Sequence, residues 1–411
     1  MMQTASNYRK FILLWAGELI SQLGGGLTSF GLGVYAFNQT GRATDMALIT
    51  LLGFLPGLLF SAPAGVLADK YDRRLLMMIG DGCSGAGVIF ILLCMLNGGA
   101  TLIQIYIGVF ISSVFSSLLE PSYRATITDL LTKEEFTKAN GLVSLAGSAK
   151  YLFSPVIAGF LLTVSNIKLL LLIDICTFFF TVICTAVVRK SIDTKKTETT
   201  GTFFSRLKEG WRAVYDRKGI FVLVMIASLI TLFMGVFQVL AAPAVLSFAD
   251  SKTLGITETI CACGMLISGV ILGIWGIKKR FTRVLSISLA LAGIFMIGFS
   301  AFESIPLMCV FGFMFFAALP FANNCLDYLS RINIPDEFQG RAWGLIGFLS
   351  QLGYFVAYAV SGVAADILGT LTGRGTGRGS AMMIGLSGLC LIVVAVSLPM
   401  IKIIRDLDIS K

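Results

Sequence analysis

From about residue 11 to its end the chain repeats one pattern: a long apolar run, a brief polar break, then another apolar run. The runs lie near 11–37, 45–68, 75–97, 101–123, 140–163 and 167–189, then near 219–247, 256–277, 283–301, 305–329, 341–366 and 380–402. A bilayer core of about 30 Å is crossed by roughly 20 apolar residues in helical form, so each run has spanning length. Inside lipid the backbone must satisfy its own hydrogen bonds, which makes these runs helices rather than open strands. Composition closes the alternative: 56% of the residues are hydrophobic and only 13% charged, about half the charge of a soluble domain. The first run exceeds a signal-peptide core and has no small-residue cleavage site after it, so it is expected to be the first span.

Between the sixth and seventh runs lies the longest hydrophilic stretch, from Arg189 to Lys218, rich in Lys, Arg and Thr. The chain therefore reads as an all-α membrane protein with 12 transmembrane helices in two six-helix bundles: 1–188, a linker 189–218, and 219–411. With the linker and both termini cytoplasmic, only Arg42, Lys168, Lys252, Arg374 and Arg378 of the 32 Lys and Arg fall on the outer side, and Lys150 lies within a span. That asymmetry sets the expected orientation. It also accounts for the net charge of +9 without nucleic acid, since the cations sit in short breaks and not on one polar face. The chain has no His, and its nine Cys all fall in apolar runs. Structural zinc, haem and a disulfide framework are thus not expected, and no cofactor is called for. A Walker A pattern is lacking, so ATP is not the expected energy source; a hydrolytic triad has no histidine to build on.

After the second run the chain reads GVLADKYDRR, Gly65 to Arg74. Here Gly65 is expected to permit close helix approach, Asp69 to accept hydrogen bonds from a helix start, and Arg73, beside Arg74, to pair with a carboxylate, forming a latch for one conformational state. This run resembles the signature loop of major facilitator transporters. The resemblance implies that the loop packs against the start of helix 11, DEFQGRAWG from Asp336 to Gly344, with Gly340 and Arg341 at the contact. The equivalent GIKKRFTR of the second half keeps the cations but has no acid. WAGELISQLG, EPSYRATITDLLTKEEFTKANGL, LLLIDICTFFF, GMLISGVILGIWG and PMIKIIRDLD are together similar to macrolide-efflux proteins and related siderophore exporters. In helix 5, SPVIAG, Ser154 to Gly159, stands where antiporters of the family carry a glycine-proline pair followed by two glycines; Pro155 and Gly159 are kept, and Ser154 and an alanine replace two of the glycines.

Charges inside a bilayer are costly and mark pathways or ion coupling. Glu18 and Gln22 lie one turn apart on helix 1 and are candidates for the substrate or proton cavity. Asp174 in helix 6 is a second acid for the same role or for helix packing. Lys150, deep in helix 5, should face the cavity or pair with Glu18 or Glu120. Asp81 is expected to pair with Arg73 or Arg74, and Glu120 with Arg124 four residues on, at the gate. Phe and Met, 32 and 15 in number, supply adaptable surface for a bulky ligand.

The family resemblance implies a secondary transporter, acting as a monomer in the cytoplasmic membrane, that exports bulky amphipathic small molecules of macrolide type in exchange for protons. Export of a siderophore or other endogenous metabolite, and proton-coupled import, stand as alternatives, with the lipid bilayer as the remaining partner.

Overall fold

The computed structural model describes residues 7–132, 134–190, 218–334 and 339–401, without the side chains of 62, 137, 218 and 339–344. The described residues form helices and short turns, with no strand among them. The elements are α1 (Tyr8–Thr40), α2 (Ala43–Lys70), α3 (Arg73–Leu96), α4 (Leu102–Ser116), α5 (Leu119–Leu130), α6 (Phe136–Val164) and α7 (Ile167–Arg189). They continue as α8 (Lys218–Leu246), α9 (Ser251–Trp275), α10 (Phe281–Ala301), α11 (Ile305–Asn333), α12 (Gln339–Thr372) and α13 (Gly375–Ser397). They supply 12 membrane-spanning helices, α4 and α5 together making the fourth.

The polar breaks of the sequence start helices. Asp72 caps α3 by accepting from the Arg74 N–H, Asn166 caps α7, and Asp250 caps α9. Thr101 and Gln104 form a reciprocal capping box at α4. Each satisfies N–H groups that the helix itself leaves orphaned. Pro56, Pro63, Pro155, Pro243 and Pro320 all lie inside helices; neighbouring helices and side chains absorb the lost bonds.

The fourth span differs from the single run expected over 101–123. Helix α4 stops at Ser116 and α5 resumes at Leu119. Pro121 explains the break: it has no N–H for the carbonyl four residues back, and its ring crowds that carbonyl. A side chain takes up part of what the ladder loses, Ser117 Oγ donating to Val114 O at 2.6 Å, while Ser113 Oγ ties α4 to α2 by donating to Leu52 O at 2.8 Å.

The chain divides into two compact units, Met1–Gln39 with Leu48–Thr200, and Thr40–Ala47 with Gly201–Lys411. In the first, α3 packs on α4, α5 and α7. One apolar cluster gathers Leu32, Ile91, Ile105, Leu170 and Phe178, another Phe11, Leu14, Met77, Tyr123 and Val188. In the second, α10 packs on α11 and α13, α12 on α8 and α13, and α9 on α11. Stacked Phe237 and Phe315, 4.5 Å apart, fill its middle beside Phe299. The first residues of α2 belong to this second unit, where the Asp366 carboxylate accepts from the N–H groups of Ala43 (2.9 Å) and Thr44 (3.0 Å) and from the Thr44 hydroxyl. An acid on α12 thus caps a helix far away in sequence.

Candidate functional site

Five helices of the first unit bring their polar residues together. On α1, Gln22 Nε2 donates to Glu18 Oε1 at 2.8 Å, the one-turn pairing the spacing predicts, while Glu18 Oε2 is buried without a hydrogen-bond partner. On α7, Asp174 is 1% exposed, and the Thr177 hydroxyl donates to its carbonyl at 2.7 Å and reaches its Oδ1 at 3.4 Å. The Thr28 hydroxyl lies close to Asp174 but outside hydrogen-bond geometry. On α6, half-buried Lys150 makes no ion pair among the described residues, yet both Glu18 and Asp174 stand within its electrostatic reach.

The SPVIAG segment of α6 is a packing device beside that lysine. Ser154 is buried and donates from Oγ to Leu23 O of α1 at 3.1 Å. Gly26 of α1 faces it so closely that an added Cβ would collide with Ser154 and press on Lys150 Cγ. Pro155 and Gly159 are buried in the same helix. Small residues at this crossing let the α1 and α6 backbones approach.

Asp81 departs from expectation. It is fully buried on α3, and neither carboxylate oxygen has a hydrogen-bond partner. The expected pairing with Arg73 or Arg74 fails because another acid takes both arginines. Arg73 Nη1 stands 2.7 Å from Asp129 Oδ1 at the end of α5, and Arg74 Nη2 3.9 Å from Oδ2. Arg73 also donates to Ala68 O (3.2 Å) in the last turn of α2 and to Ala125 O (3.1 Å) on α5. With its arginines engaged two turns away, Asp81 instead lies within electrostatic reach of Glu18 and Asp174. Lys150 thus acts on Glu18 and Asp174, and Asp81 adds a third acid within reach of those two, a charge excess that a proton or a cationic group can cancel.

The remaining latch residues are placed as follows. Asp69 is 3.9 Å from Arg73. Nothing among the described residues lies within 4 Å of where a Gly65 Cβ would stand, so the close approach expected there is not seen among them. The segment from Asp336 to Gly344, with Gly340 and Arg341, falls on residues or side chains outside those described. Glu120 and Arg124 do pair, at 2.8 Å, but both are exposed, 74% and 66%, where such pairs contribute little.

Sequence reasoning missed four acids. Asp72 caps α3 and also binds Arg189 at 2.6 Å. Asp129 holds the arginine pair, and Asp366 caps α2. Glu258 stands two turns into α9, half-buried, with no partner among the described residues. Asp129 lies in the polar break between the runs 101–123 and 140–163, and Asp366 at the end of the run 341–366, places where an acid carries no signal of its own. Glu258 carried a legible signal, an acid inside a span, of the same kind as Glu18. In the second unit the Tyr358 hydroxyl also donates to Gln238 Oε1 at 2.7 Å, tying α12 to α8.

Comparison with known proteins agrees with this fold. The profile of the Major Facilitator Superfamily matches residues 14–358. Macrolide efflux protein A of Streptococcus pyogenes is 28% identical, over 100% of both chains. Its namesake in Enterococcus faecalis is 28% identical over 74% of this chain and 96% of its own. The Staphyloferrin A transporter of Staphylococcus aureus is 29% identical over 42% of each chain. Among solved structures, a bacterial homologue of the iron transporter ferroportin superposes with a TM-score of 0.75 at 14% identity, covering 96% of this chain and 99% of that one. A bacterial homologue of the lysosomal transporter Spinster gives 0.74 at 13% identity, over 98% and 99%.

Proposed function

Because the chain belongs to the Major Facilitator Superfamily, a superfamily of transporters, we propose that it exports bulky amphipathic small molecules of macrolide type in exchange for protons, by alternating access. The observation that carries the substrate class is the full-length similarity to macrolide efflux protein A. The proton is supported by the chemistry of the first unit, where Glu18 and Asp174 share the reach of one lysine, Asp81 lies within reach of both acids, and Glu18 and Asp81 leave carboxylate oxygens without a hydrogen-bond partner. A proton arriving from outside neutralises one carboxyl, and its departure restores the negative charge that draws an ammonium or a hydroxyl-rich ligand. In this proposal the protein sits in the cytoplasmic membrane as a monomer with both termini cytoplasmic, and its activity confers antibiotic resistance.

Everted membrane vesicles, energised and offered a panel of macrolides, test this directly. Accumulation that collapses on adding an uncoupler is expected. Accumulation of none of them, or accumulation indifferent to the uncoupler, defeats the proposal. The partial match to the Staphyloferrin A transporter favours a second cargo, a siderophore, and the same vesicles distinguish it by competition.

A further inference from the structure

The second unit carries a charged cavity for which proton-coupled export has no use. Helix α12 ends at Thr372 and α13 begins at Gly375, within the run TGRGTGRGS from Thr372 to Ser380. Gly373 (φ +66°) and Gly375 (φ +79°) flank Arg374 in left-handed backbone, a conformation that glycine adopts without strain. The exposed Arg374 side chain is thereby held out from a tight turn, with no partner among the described residues. One helical turn on, Arg378 is fixed in place: Nη1 donates to Ser300 O at 3.1 Å and stands 4.0 Å from Glu303 Oε1.

A cavity of about 570 Å³ is lined by these two arginines with Ala301, Phe302 and Glu303. Its charge does not balance. Glu303 is 62% exposed and meets Arg378 only at the limit of an ion pair, and Arg374 makes no ion pair among the described residues. The start of α13 adds N–H groups that no helical carbonyl satisfies, at the positive end of its dipole. Forked guanidinium donors suit the oxygens of a phosphate. The location is informative as well. These turns lie at the end of α10 and α11 opposite the Gly276–Arg280 turn, the end at which the sequence holds few Lys or Arg. Two cations converging there run against that depletion. Phe302, 50% exposed, lines the cavity with Ala301 and gives it an apolar edge, as a headgroup site with acyl contacts requires.

We propose that the Arg374–Arg378 cavity binds a phosphate group. The apolar edge favours the phosphodiester of an anionic membrane lipid as its source, and a free phosphorylated solute is the other source of the same chemistry. The test is the thermal unfolding midpoint of the full-length protein in neutral detergent, titrated separately with phosphatidylglycerol, phosphatidylcholine and inorganic phosphate. Phosphatidylglycerol is expected to raise the midpoint by several degrees, with phosphatidylcholine giving less than half the shift. Arg374→Gln, which removes a side chain with no structural partner, is expected to remove at least half of it. Glu303→Gln, which deletes the competing carboxylate, is expected to enlarge it. A shift reproduced by inorganic phosphate alone supports the free-anion source, and one confined to the lipid supports the headgroup. The proposal is overturned if neither phosphatidylglycerol nor phosphate moves the wild-type midpoint, or if both variants respond as the wild type does.

Discussion

Glu18 shows how far single residues can be read in advance. An acid inside an apolar run, with Gln22 one turn later, announced both a costly charge and its local hydrogen bond, and both are present. Glu18→Gln keeps the size and the bond to Gln22 but cannot exchange a proton. Transport by this variant is expected to lose its pH dependence while the protein remains folded in the membrane; retained coupling would move the proton to Asp174 or Asp81. The partners of Arg73 were not legible, because Asp129 is 56 residues away and reaches it only through the packing of α5 on α3. Asp81 was misassigned for the same reason: proximity along one helix suggested a pairing that a neighbouring helix had already claimed. Asp129→Asn removes the carboxylate shared by Arg73 and Arg74, whose side chains are 15% and 3% exposed, and leaves Arg73 with Asp69 at 3.9 Å. Its thermal unfolding midpoint in detergent should fall by the equivalent of roughly 2 kcal/mol, less than a fully buried pair loses, because Asp129 is itself 26% exposed. Glu120→Gln, which breaks an exposed pair, should change it by less than about 0.5 kcal/mol.

Helices were the most legible features, since an apolar run of spanning length leaves few alternatives to a helix. Their ends were less so. Helix α12 extends to Thr372, beyond the apolar run that stops near 366, because a polar last turn still forms ladder bonds outside the lipid. Cap residues decide where helices begin, and Asp250 at α9 makes a measurable case. Hydrogen bonds from Thr253 hold its carboxyl below the ordinary range, so the folded state favours the ionised form. A depressed value means the stabilisation is complete above about pH 4, the ordinary carboxylate region, and disappears as pH falls through the lowered value. Asp250→Ala should lose about 1 kcal/mol near neutrality, with wild-type and variant midpoints converging as the pH approaches about 3. Asp250→Asn keeps an equivalent cap and should show no such convergence.

For the whole molecule, the plan of six spans, linker and six spans was available from hydropathy alone, and twelve spanning helices are present. Side-chain convergence was not, because α1, α3, α5, α6 and α7 meet only through tertiary packing. Reporter fusions at either terminus are expected to report the cytoplasmic side, and activity of an outward-located reporter there would reverse the orientation assigned from Lys and Arg. The interruption before Pro121 bears on how such a molecule deforms. A continuous helix resists flexing because each degree stretches several backbone bonds at once. At Ser117 and Leu118 that resistance has already been given up, so the fourth span has a low-stiffness articulation, below which one short rod carries Glu120, Arg124 and Asp129 as a piece. Tilting that rod would shift the anchor of Arg73 without unwinding a single turn.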